Sequence, residues 1–208
     1  MGQYAAILSL LFFYTLQGQS QSIDTTSEDR KWYFSLTNDF YFQTDYAYYD
    51  PSFTADHKHL HLEARYQAED YQTGSLWGGY NFSIGNKLGL DGTSMVGIIF
   101  GNTDGIAPDL ILDLYYGKFD FYSDNEYLFD FSGIENSYFY TWTELTYIPW
   151  DWMHFGFALQ RTKIHQEASE VEFGYTIGFT YKFISLSGYL FNPQRDDKYG
   201  FLNLAVSF

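Results

Sequence analysis

The densest run of chemistry-bearing side chains in this 208-residue sequence occupies alternate positions: His57, His59, His61, Glu63 and Arg65. On an extended chain such positions share one face, about 7 Å apart. Imidazoles beside a carboxylate are the right groups for a divalent metal or for proton transfer. They equally suit charges that pair across the inside of a barrel, with His57 and His59 near its rim. A spacing of two along one strand is no metal-ligand signature, so the second arrangement is expected, with no metal and no cofactor. Glu144 and His154 fall on facing parities of neighbouring extended segments, with Trp142 beside them. They are expected to form a hydrogen-bonded dyad or to fill a narrow interior as structural groups. Gly101-Asn102-Thr103-Asp104-Gly105 has the composition of a turn and lacks the ligand set of a calcium loop. No catalytic residue is assigned.

These side chains need elements that turn alternate residues to opposite environments, and the composition calls for them. The chain holds 21 Tyr, 21 Phe and 5 Trp, 23% aromatic in all. Its mean hydropathy is nevertheless only -0.28, which excludes a bundle of apolar helices. Abundant aromatics with abundant polar residues fit strands with one face toward lipid and one toward water. The absence of Cys excludes thiolate metal sites and thiol nucleophiles. A net charge of -15 argues against nucleic acid as a partner.

The alternation starts at Trp32 and runs to the last residue. Trp32, Phe34, Leu36, Phe40 and Phe42 share one parity, and Ser35, Thr37, Asp39 and Tyr41 the other. Leu60, Leu62 and Ala64 likewise oppose His61, Glu63 and Arg65. Similar segments recur throughout, eleven in all as read from the pattern. Tight connections at 85–87, 117–118, 149–151 and around Lys182 alternate with longer polar ones at 101–108, 130–137, 165–170 and 192–198. Lys87, Lys118 and Lys182 mark the membrane edge. Transmembrane barrels have such an asymmetry, with short periplasmic turns and long outer loops. The segment 46–56 reads as a further connection, which makes the strand number odd, whereas a barrel with both termini on one side needs an even one. The expected fold is therefore all-β, a transmembrane antiparallel up-and-down β-barrel of about 10–12 strands over residues 31–208. Ahead of it, the apolar run Ala5 to Leu16 and the small residues Gly18 and Ser20 predict a signal peptide over 1–20. A short periplasmic segment, 21–30, would follow.

The ending Leu202-x-Leu204-x-Val206-x-Phe208 resembles the C-terminal signature of bacterial outer-membrane β-barrels. The resemblance implies location in the bacterial outer membrane and recognition of Leu204, Val206 and Phe208 by the barrel-assembly machinery. Asn38-Asp39 resembles the early Asn-Asp pair of lipid A deacylase barrels, but the His-x-Ser pattern of the Ser-His type of that enzyme is missing. The leading functional expectation is thus non-enzymatic: a narrow passive pore, or a structural or accessory part of an outer-membrane assembly. Its candidate polar lining is His59, His61, Glu63, Arg65, Glu144 and His154. The alternative is a membrane-embedded lipid A or phospholipid acyl hydrolase. Expected partners are outer-membrane lipids and lipopolysaccharide, with a partner membrane protein as a third possibility.

Overall fold

The computed structural model describes residues 31–42, 47–85 and 87–208. The leader and the segment after it, expected over 1–30, lie outside the described residues. Twelve antiparallel strands close into one barrel. They are β1 (Tyr33–Phe42), β2 (Ala47–His57), β3 (Leu60–Tyr66), β4 (Thr73–Gly85), β5 (Leu88–Gly101) and β6 (Gly105–Tyr116). Then follow β7 (Phe119–Asp130), β8 (Tyr138–Trp150), β9 (Met153–Ile164), β10 (Glu170–Tyr181), β11 (Ile184–Phe191) and β12 (Tyr199–Ser207). A single turn of 3-10 helix, Ile134–Asn136, sits between β7 and β8.

Each strand pairs with its sequence neighbours, and β1 pairs with β12 from Ser35↔Ser207 to Phe42↔Gly200. The seam extends one step further. The Phe208 amide donates to the Phe34 carbonyl at 2.8 Å, and the Phe34 amide donates to the Phe208 carbonyl at the same distance. Closure matters because no water in a bilayer can satisfy a free strand edge.

The alternation sorts side chains between two environments. Leu36, Leu62, Leu76, Ile98, Phe157, Ile177 and Leu202 face outward and are exposed, forming the apolar belt. Ser35, Thr37, Asp39, Glu63, Asp124 and Asn203 face inward and are buried. At the short-turn end the belt closes in a girdle of rings, with Trp150 stacked on Trp152 at 5.5 Å and Trp152 on Phe179 at 6.2 Å. Aromatic rings of this kind favour the lipid–water boundary. Both ends of the barrel chain, Tyr33 and Ser207, lie at that same end.

Two sequence expectations change. The segment 46–56 is no loop: Ala47–His57 is β2, which raises eleven segments to an even twelve. It contains Pro51, a residue that removes a ladder donor. The β2–β3 ladder begins at Ser52↔Arg65, just past Pro51, so the strand tolerates it. The connection expected over 101–108 shortens to the residues between Gly101 and Gly105, because Ile106 to Pro108 already pair with β5.

Candidate functional site

The charged lining concentrates in the outer half of the barrel, on the side of the long loops. Strand β3 carries His61, Glu63 and Arg65 inward, each at most 5% exposed. Arg65 Nε donates to Glu63 Oε1 at 2.9 Å. Its other nitrogens reach across the interior, Nη2 to Asp109 on β6 at 3.4 Å and Nη1 to Glu126 on β7 at 3.4 Å. The guanidinium lies over the Trp77 ring at 4.2 Å, a cation–π contact that holds it flat. Arg65 is the one buried Lys or Arg among the described residues, against nine buried carboxylates.

The connection from β3 to β4 folds into this interior rather than over it. Its Glu69 is 0% exposed and accepts a 2.5 Å hydrogen bond from the Ser75 hydroxyl, which in turn accepts from Trp77 Nε1 at 2.9 Å. Arg65 Nη1 stands 3.8 Å from Glu69. The inward tuck is built by left-handed backbone at both ends of the loop, Gln67 (φ 65) and Gln72 (φ 57). Asp70 anchors it to the β5–β6 turn by accepting from the Thr103 hydroxyl at 2.8 Å.

The opposite wall is aromatic. Tyr41 stacks on Tyr48 at 4.5 Å, Tyr189 on Phe201 at 4.4 Å, and Phe191 on Tyr199 at 5.2 Å. Trp142 on β8 projects toward this wall and meets Phe191 at 5.4 Å. Its indole N–H donates to Glu144 Oε1 at 2.7 Å, and the Tyr189 hydroxyl donates to the same oxygen at 2.9 Å. An acidic wall and an aromatic wall therefore face one another across a narrow interior. Glu126, Tyr140 and Phe191 are each 0% exposed, so side chains close this level in the structure.

The residues singled out from sequence divide accordingly. His61, Glu63 and Arg65 come together, with His61 Nδ1 2.8 Å from Asp56 and Nε2 3.3 Å from Glu63. His57 ends β2 on a different strand. His59 does not belong to the lining: it lies in the β2–β3 turn, exposed, stacked on Tyr80 at 4.9 Å. The reason is that the strand boundary falls between His59 and Leu60, so shared parity no longer means a shared face. Glu144 and His154 form no dyad. Glu144 pairs in register with Ala158, four residues beyond His154 or roughly 13 Å at strand rise. His154 instead sits near the short-turn end, with Nε2 3.3 Å from the Ser187 hydroxyl. Asp109, Asp124 and Glu126 were not picked out from sequence, because only cross-strand register brings them to Arg65, and Glu69 was missed because the inward fold of its connection places it there.

No protein-family model matches the chain, and no curated protein matches it in sequence. Its fold does match solved structures. The KdgM porin aligns with a TM-score of 0.58 over 84% of this chain and 98% of that one, at 10% identity. The NanC porin aligns with a TM-score of 0.57 over the same shares, at 8% identity. A second KdgM structure, in complex with disordered oligogalacturonate, gives a TM-score of 0.58 at 9% identity, covering 84% of this chain and 98% of that one. By fold, the chain is a closed twelve-stranded antiparallel β-barrel similar to these porins, with an apolar outer face.

Proposed function

We propose that the protein is a narrow passive pore of the bacterial outer membrane. The observation that carries this is the chemistry of the interior. Nine carboxylates are buried among the described residues against one guanidinium, and some of their oxygens, such as Glu126 Oε1 and Glu144 Oε2, find no hydrogen-bond donor within the protein. Leaving ionised carboxylates in a dry interior costs several kcal/mol each. Membrane barrels have polar interiors, water-filled in porins and plugged in others. This one invests in an interior that needs water or ions. The porin-like fold supports the same reading. Oligogalacturonate, seen with KdgM, is not carried over, since its carboxylates would meet like charge here.

The test is planar-bilayer conductance of the refolded chain, run beside a gel comparing heated and unheated samples. Discrete steps smaller than those of a wide-lumen porin are expected. A folded barrel that leaves the bilayer silent would favour the second reading, a structural or accessory component of an outer-membrane assembly, which the closed mid-level supports. An acyl hydrolase gains nothing from the structure. Asp39 is 1% exposed, turned inward and bonded to Asn203 Nδ2 at 2.7 Å, away from lipid.

Export by a leader over 1–20, followed by a periplasmic segment over 21–30, completes the proposal. So do contact with lipopolysaccharide and outer-membrane lipids along the belt, and assembly by machinery that reads Leu204, Val206 and Phe208.

A further inference from the structure

We infer that the outer half of the interior holds a cation-binding station, formed by Asp109, Asp124 and Glu126 and backed by Tyr138. This makes the pore select cationic over anionic solutes. The inference rests on the pore reading and adds the class of solute.

Charge balance is the first ground. Glu63, Glu69, Asp109, Asp124 and Glu126 gather around the single guanidinium of Arg65, and Arg65 is already committed to Glu63 at 2.9 Å. His61 leans toward Asp56 and Glu63 and does not reach the far side. Arg65 also reaches Asp109 and Glu126, but one guanidinium shared among five carboxylates leaves strands β6 and β7 net acidic.

The second ground is independent of that count. Glu126 Oε1 lacks a donor from the protein, and Asp109 and Asp124 lie within hydrogen-bond reach of one another, with no other side-chain donor on Asp124. The Tyr138 hydroxyl, 2% exposed, likewise has no hydrogen-bond partner and lies on the Glu126 side of the group. With Asp109, Asp124 and Glu126 close together, this makes an oxygen-rich patch. Such oxygens suit an alkali or ammonium-type cation, and acidic linings are how cation-selective pores discriminate. A station for ions in transit must bind well enough to admit and weakly enough to release. The aromatic wall across the gap, led by Trp142, gives the hydrocarbon part of an organic cation a surface to slide on.

The test has two arms on the refolded full chain. In planar bilayers under a KCl gradient, the reversal potential should show potassium favoured over chloride. Asp124→Asn with Glu126→Gln should lower that preference several-fold. In detergent micelles, calorimetric titration with 1,4-diaminobutane at constant ionic strength should show binding that the same double variant loses. Chloride preference, or equal preference for both ions, overturns the inference while leaving the pore intact. A silent bilayer sinks the pore reading alone, because the calorimetric arm still decides the station. Diamine bound equally by wild type and double variant overturns the station whether or not current flows.

Discussion

Arg65 on β3 donates to Glu126 on β7, four strands away around the barrel, at 3.4 Å. The contact ties two parts of the wall that share no backbone ladder. It also makes Arg65 the one cation holding Glu63, Asp109 and Glu126 together.

Arg65→Gln should therefore be strongly destabilising. Removing one partner from a buried ionic network typically costs about 3–5 kcal/mol, since the remaining charges are left uncompensated. Urea unfolding in detergent, followed by tryptophan fluorescence, would measure it. Arg65→Lys should recover only part of the loss. A single ammonium cannot serve carboxylates in several directions or lie flat on Trp77. Equal stability of the Gln variant and wild type would show that the network carries no net structural role.

Trp77 packs beside a glycine, Gly97, its register partner on β5. A Cβ on Gly97 would fall inside the Trp77 ring, so any side chain there must displace the indole. Gly97→Val is expected to cost about 1–3 kcal/mol through overpacking. It should also weaken the Arg65 network by tilting the ring beneath the guanidinium. Leu76→Ala, on the lipid-facing neighbour, supplies the comparison: it should leave the Arg65 region unaltered. Near-ultraviolet circular dichroism reports the Trp77 environment, and an unchanged spectrum in Gly97→Val would remove the proposed coupling.

These two residues show where sequence reasoning stops. The face occupied by Arg65 follows from period two alone, since Leu60, Leu62 and Ala64 fix the outward parity. Barrel class and the orientation of most strands were legible the same way. Which strand lies across from Arg65 depends on shear and register, and neither leaves a mark on one segment. Asp109 and Glu126 were therefore readable as inward, but not as its partners. The alternation of loop lengths makes β2 read as a connection, although the need for an even strand count already points to a missing strand. His59 failed for a different reason: its parity was right, but the strand began one residue later. The inward fold of Glu69 depended on left-handed Gln67 and Gln72, and glutamine gives no such signal.

The seam makes a separable prediction. Phe208 pairs with Phe34 through two backbone hydrogen bonds, and their rings stand 5.9 Å apart on the outer face. Phe208→Ala keeps both backbone bonds and loses the ring. The ring is 67% exposed to the lipid side, so the refolded variant should lose only about 1 kcal/mol or less. If Phe208 is read during assembly, the amount of heat-modifiable barrel in cells should fall far more than that stability change explains. A parallel fall in both, or no fall in cells, would remove the assembly role.

The separation of Glu144 from His154 can be measured as an energy. Glu144 accepts from Trp142 and Tyr189, whereas His154 contacts Ser187, and the two residues share none of these groups. Glu144→Ala should be costly, since it strips two buried donors of their acceptor, at about 1–3 kcal/mol per unsatisfied group. His154→Ala should cost less. Its own bond is a single long one at 3.3 Å. Sites more than about 7–10 Å apart without shared partners give additive effects within roughly 0.5 kcal/mol. The double variant should therefore unfold at the sum of the two single effects. A coupling energy clearly above that limit would mean that the two side chains act as a pair, and that the bulge between Tyr147 and Trp150 closes the distance the register sets between them.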